Sequence, residues 1–183
     1  MLQRQMFLVF MLLEMLKIKL LDKPLLLQEW DVWLHLRQKN FYLTKIMKLN
    51  WIIFVTGWMS FRAIGSGLFL FWIFTGNERS APSEWIIPFV GDFIIGITAL
   101  FLVYYIIKKP STILWGVLLS WNAVGLFDLI GAIDVSFAAP YGPIPEIGFN
   151  ELVVRFILSL NTLLQISCIY LLFQKDIKEY FKF

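Results

Sequence analysis

Three ionisable side chains, Arg62, Asp92 and Asp128, each lie well inside a long apolar segment. A charge in hydrocarbon costs about 2.5–3.5 kcal/mol even on the lenient insertion scale. Such groups have to face a bundle interior, pair with one another, or line a wet cavity. One arginine neutralises one carboxylate and leaves the other over. A surplus carboxylate either holds a proton or attracts a cationic or polar ligand. Paired carboxylates also do acid–base chemistry, yet no nucleophile, metal set or phosphate loop accompanies them, which leans against an enzyme.

At 100° per residue the charges fall on faces with small neighbours. Arg62 shares a face with Trp58, Gly65, Ser66 and Phe69, and Asp92 with Pro88, Gly96 and Ala99. Trp121, Val124, Gly125, Asp128 and Ala132 form a third face, with Asn122 on its flank. A fourth segment adds a polar stripe of Asn161, Gln165 and Cys168. Small residues beside a charge permit close helix approach. The expected site is therefore an outward-facing polar cavity walled by Asp92, Asp128, Asn122 and Trp121, with Arg62 at its floor and Asn161 and Gln165 as secondary members. Cys168 is the single cysteine and His35 the single histidine. One chain thus has no disulfide, no thiolate metal cage and no histidine in the bundle for haem or zinc. No cofactor or metal is expected.

The elements that must position these groups follow from composition. Of 183 residues, 59% are apolar and 17% aromatic, too apolar for a soluble domain of this size. Trp51–Gly76, Trp85–Ile107, Thr112–Ala138 and Leu152–Phe173 each reach the roughly 20 residues needed to cross hydrocarbon as a helix. Alternating ten-residue segments, the mark of a barrel, are absent. The expected fold is all-α, an integral membrane four-helix bundle over residues 51–183. Outside the spans, every Lys and Arg except Arg79 falls on the side shared by the two termini and the Lys108–Lys109 turn. By the positive-inside rule that side is cytoplasmic, making this a multi-pass cell-membrane protein. These charges are interleaved with Asp and Glu, so the expected partner is the bilayer and not nucleic acid.

Residues 1–50 read as a cytoplasmic or interfacial extension. Met6–Leu13 is too short to span, and Glu14–Lys23 offers no small-residue cleavage site, against a signal peptide. Pro24 ends any helix before it. Leu26, Trp30, Trp33 and Leu34 then recur near helical spacing, as in a helix lying on the leaflet. Met47-Lys48-Leu49-Asn50 leads straight into the first span and would also make a natural start. The Ala138–Glu151 connection, dense in Pro and Gly, forbids regular helix; it reads as an ordered turn in preference to a lid. Trp51, Trp72, Trp85, Tyr104, Tyr105, Trp115, Tyr141 and Tyr170 cluster at span ends as interfacial anchors, while Trp58 and Trp121 sit deeper and need partners for their indole N–H groups.

Arg62-Ala-Ile-Gly65, Trp85-Ile-Ile-Pro88 with Gly91-Asp92 and Gly96, and Trp121-Asn122-Ala-Val-Gly125-Leu-Phe-Asp128-Leu129 resemble a signature of small uncharacterised bacterial multi-pass membrane proteins. That signature pairs a P-x-x-G-D-x-x-x-G helix with a W-N-x-x-G-x-x-D-L helix after an arginine-containing first helix. The resemblance covers about Trp51 to Ala132; Ser159–Leu163 departs from it, lacking a proline. It implies that Arg62, Asp92, Asn122 and Asp128 belong together, and it implies no activity.

Two functional readings compete. In the favoured one the cluster is structural, fixing bundle register through an ion pair completed by Asn122, Asn161 and Gln165. In the other it serves small-ligand binding or proton-linked transport. Four spans are thin for a lone transporter, so a transporting form would be a homo-oligomer.

Overall fold

The computed structural model describes the backbone of residues 23–182 and the side chains of residues 33–182. The Met6–Leu13 stretch and the side chains of Leu26 and Trp30 lie outside the described residues. The helices are α1 (Lys23–Trp58), α2 (Ser60–Thr75), α3 (Ile86–Lys108), α4 (Thr112–Ala138), α5 (Glu151–Leu172) and α6 (Lys175–Tyr180). Short 3-10 turns occupy Ser83–Trp85 and Pro145–Ile147. The fold is an all-α four-helix bundle, with no strand among the described residues.

The chain divides into two units between Thr44 and Lys45. The described part of the first is the start of α1, with Trp33, Leu34, Phe41 and Tyr42 exposed. Pro24 stands at its second residue, where a missing N–H costs nothing. The bundle unit begins at Lys45 and not at Trp51: Leu49 packs on its core, and Lys48 Nζ lies 3.0 Å from Asp176 Oδ2.

Four helical segments are long and apolar enough to cross a membrane. Their packing is inside-out relative to a soluble bundle. Phe71, Phe74, Ile87, Ile113, Phe127, Phe137 and Phe156 lie exposed, while Thr56, Arg62, Ser66, Asn122, Asn161 and Gln165 are buried. An apolar exterior this continuous needs an apolar solvent, and lipid is one in which helices, with their backbone bonds satisfied internally, are stable.

The first span is interrupted where the sequence predicts one helix. Between α1 and α2, the Arg62 N–H bonds the Met59 carbonyl three residues back, at 3.1 Å. Ser60 Oγ donates to the Gly57 carbonyl at 2.7 Å. A hydroxyl drawing on the preceding turn bends a helix, and Gly with Ser is a common kink pair. The tightened turn sits immediately before Arg62.

Successive helices pack on one another: α2 on α3, α3 on α4, α4 on α5. Indole bonds link the first span back to α5, Trp51 Nε1 to Ser167 Oγ at 3.0 Å and Trp58 Nε1 to Asn161 Oδ1 at 2.9 Å. Among the glycines, Gly96 comes closest to the backbone of another helix: an added Cβ would lie 2.6 Å from Ala63 Cβ and 2.9 Å from Ala63 Cα. Caps set the helix starts: Ser111 Oγ accepts from the Leu114 N–H, and Asn150 Oδ1 from the Leu152 and Val153 N–H groups, as short polar N-cap residues do.

One end of the bundle is closed by α6, which the basic residues of the tail had obscured in the sequence. Ile177 and Phe181, spaced four apart, are fully buried. Tyr180 donates its hydroxyl to the Ile106 carbonyl at 2.9 Å. The other end is closed by the two remaining connections. Trp85 and Tyr141, expected as interfacial anchors, are instead buried in a cluster with Phe69 and Phe89. Trp85 Nε1 donates to the Ala139 carbonyl at 2.8 Å, and the Tyr141 hydroxyl to the Arg79 carbonyl at 2.7 Å. Each polar tip has a backbone partner, so burial costs little. The Ala138–Glu151 connection is thus an ordered turn pinned to the bundle.

Burial pushes the Tyr141 phenol up from the usual value to about 12. A folded-state value above the unfolded one means that this contribution is intact below about pH 10 and is lost as pH rises toward 12. Alkaline titration followed by tyrosinate absorbance and near-UV circular dichroism should show a late phenol ionising together with opening of this end. Tyr141→Phe should remove one late-ionising phenol and the opening coupled to it, leaving that of Tyr180, which burial also raises; an unchanged amplitude would refute the assignment.

Candidate functional site

Arg62 enters the bundle within the first turn of α2, after the kink, and reaches carboxylates from two other helices. Its Nε donates to Asp92 Oδ1 at 2.7 Å and its Nη2 to Asp128 Oδ2 at 2.7 Å. Nη2 also contacts Asp92 Oδ1, and Nη1 faces the Met59 sulfur at 3.9 Å. The guanidinium is 5% exposed and each carboxylate 15%. Its fork makes this geometry possible, since one planar group presents donors toward both α3 and α4. Gly91 leaves room for the Asp128 carboxylate, which an added Cβ would strike. The triad carries one net negative charge when all three groups are ionised.

The structure brings Arg62, Asp92 and Asp128 together, sets Asn161 on the same cavity wall as Arg62 and Asp92, and directs Trp121, Asn122 and Gln165 elsewhere. Trp121 turns to α3, its Nε1 donating to Thr98 Oγ1 at 2.9 Å, and lines a groove with Phe101, Tyr105 and Val117 near the opposite end. Asn122 is fully buried and donates to the Leu118 carbonyl at 2.8 Å. The inner stripe of α4 is Leu118, Asn122, Gly125, Leu129 and Ala132, rotated from the predicted face. Trp121 and Asp128 lie on the edge of that stripe, and Val124 is exposed. A helical wheel cannot separate flank from centre when both flanks are apolar, as they are in lipid.

On α5 the polar stripe faces inward as predicted by spacing, but its members differ in surroundings. Asn161 accepts the Trp58 indole N–H. Gln165 is fully buried against Gly125, with neither amide atom hydrogen-bonded. Asn122 Oδ1 also has no hydrogen-bond partner. Arg155, further along α5, donates to the Ser136 carbonyl at 2.9 Å and stands 4.6 Å over the Phe137 ring. Cationic side chains favour helix C-termini such as this end of α4.

Beside the triad lies a cavity of about 350 Å³. Arg62, Asp92, Ser66 and Asn161 supply its polar wall, and Trp58, Phe61, Phe69, Trp85, Phe89 and Phe149 its aromatic one. Trp121 and Asn122 are not part of this wall, nor is Asp128, which stands behind Arg62. The face of Trp58, Arg62, Gly65, Ser66 and Phe69 read from spacing lines it throughout. Phe149, from the Pro/Gly-rich connection, carried no sequence signal for this role. Among the described residues no cluster of His, Cys, Asp and Glu could hold a metal ion.

Comparison with protein-family models, with curated proteins and with solved structures gives no match.

Proposed function

We propose that this protein is a multi-pass membrane protein that binds a small ligand in the cavity beside the Arg62–Asp92–Asp128 triad. The observation that carries the reading is the cavity's size at that position. Small-molecule sites begin near 300 Å³ and are mostly apolar with a few convergent polar groups. A purely structural ion pair needs no such space. Gly65 lines the cavity and an added Cβ there meets nothing within 4 Å, so the site can be filled without a clash at the backbone. Gly65→Phe should fold with a melting temperature at or above the parent's. It should also lose the stabilisation that small aromatic or amphipathic compounds confer on the parent in detergent thermal-shift measurements. If no compound stabilises the parent, or Gly65→Phe responds as the parent does, the cavity is not a ligand site.

The orientation that fits the basic-residue asymmetry places both termini in the cytoplasm and the cavity's Trp85–Phe149 end outside. Cys168 is buried, leaving little background for cysteine labelling from the exterior. Cysteine introduced at Ser83 should react with an impermeant maleimide added outside intact cells, and cysteine at Ser111 should not. Labelling of Ser111 alone would invert the topology.

A further inference from the structure

Three features of the cavity decide what it would take: its charge, its rings and where it opens. Arg62 and Asp92 are the charged residues of the wall, with Asp128 behind. Each guanidinium nitrogen of Arg62 already has a contact, to the two carboxylates or the Met59 sulfur. An anionic ligand would find no free cation and would meet a surplus negative charge. With all three groups of the triad ionised, a neutral one would leave that charge uncompensated in apolar surroundings. Arg62 bonds Oδ1 of Asp92, and Oδ2 receives none of those bonds.

Six of the other lining residues are aromatic: Trp58, Phe61, Phe69, Trp85, Phe89 and Phe149. Trp58 and Phe61 pack at 5.4 Å between ring centroids, and Phe69, Phe89 and Trp85 form a second group with spacings of 5.1 and 5.4 Å. Ring faces attract cations within about 6 Å, and quaternary ammonium groups are held well by several such faces. The mouth lies on the flank between the first span and α5. Phe61, Trp58 and Ile157 line the cavity yet are 60%, 39% and 39% exposed. Those helices are not among the closely packed pairs, and the surface around the mouth is apolar.

Resting on the ligand-binding reading above, we propose that the cavity is a site for amphipathic organic cations, an ammonium group on an aromatic or alkyl body, received from the bilayer through the flank between the first span and α5. The surplus carboxylate charge neutralises the ammonium, the rings surround it, and the apolar body lies toward the lateral mouth.

Benzyltrimethylammonium and neopentylbenzene differ by one atom, nitrogen for carbon, and so test charge at constant shape. Calorimetric titration of the full-length protein in detergent micelles should show the cation binding at least tenfold more tightly than its neutral isostere. Asp92→Asn leaves Arg62 paired with Asp128 and removes the net charge. It should fold, as judged by a single gel-filtration peak and cooperative melting, and bind the cation at least tenfold more weakly while the neutral isostere binds at least as tightly as to the parent. Should Asp92→Asn not fold, the parent's ratio for the two isosteres decides alone. Equal binding of the isosteres overturns the cation assignment and leaves the ligand-binding reading standing; binding of neither, with no other compound stabilising the parent, removes both. Competitive displacement of the cation by phosphatidylcholine, and not by phosphatidylglycerol, would assign the site to a lipid head and overturn the free-cation source.

Discussion

Arg62→Met should be the most damaging single substitution in the bundle, because it strands two buried carboxylates at once. Arg62 touches both, through Nε and Nη2, and is itself almost wholly enclosed. Removing one partner of a buried pair costs about 3–5 kcal/mol, most of it the uncompensated charge left behind. The fully neutral triple variant, Arg62→Met with Asp92→Asn and Asp128→Asn, should recover most of that loss. Apolar or neutral replacements of a complete buried ion cluster are often tolerated. Asp92→Asn alone should fall between, since Arg62 keeps Asp128. Detergent-solubilised yield, gel-filtration profile and thermal midpoint across the four proteins check the order. A triple variant no better than Arg62→Met would show that the cost is not one of stranded charge.

Gly96→Ala should destabilise the bundle more than a methyl added at Gly67, Gly91 or Gly125, whose neighbours are side chains. The new Cβ would meet the Ala63 backbone as well as its Cβ, and backbone cannot step aside as a flexible side chain does. Overpacking of this sort costs about 1–3 kcal/mol. Truncating the neighbour with Ala63→Gly should rescue only part of the loss, since Ala63 N and Cα remain in the way. The displacement would also shift α2 at the residue after Arg62, so ligand stabilisation should fall with the thermal midpoint. Gly131→Ala, where an added Cβ meets nothing within 4 Å, is the control. It should be neutral or gain up to about 1 kcal/mol from helix propensity. Equal midpoints for Gly96→Ala and Gly131→Ala would mean that the α2–α3 contact yields to a methyl group without cost.

Length, apolarity and spacing in the sequence were sufficient for the class of fold and for the number of segments long enough to span. Three isolated charges inside those segments also required one another, because hydrocarbon leaves an ionised side chain few other options. The first-span face of Trp58, Arg62, Gly65, Ser66 and Phe69 was legible for the same reason: polar and small residues on one side of a greasy helix point inward. Tertiary packing decided the rest. The break at Met59 depends on a local exchange of hydrogen bonds by Ser60 and Arg62, which leaves no trace in hydropathy. Whether Trp121 or Asn122 faces the interior turned on a rotation too small to read when every flank is apolar. Trp85 and Tyr141 look like headgroup anchors from their positions at span ends, but partners distant in sequence, Ala139 and Arg79, bury them. The cavity itself is a property of four spans and two connections together. Its volume depends on how closely backbones approach at Gly96 and diverge at the α5 flank, and no single segment carries that distance in its own residues.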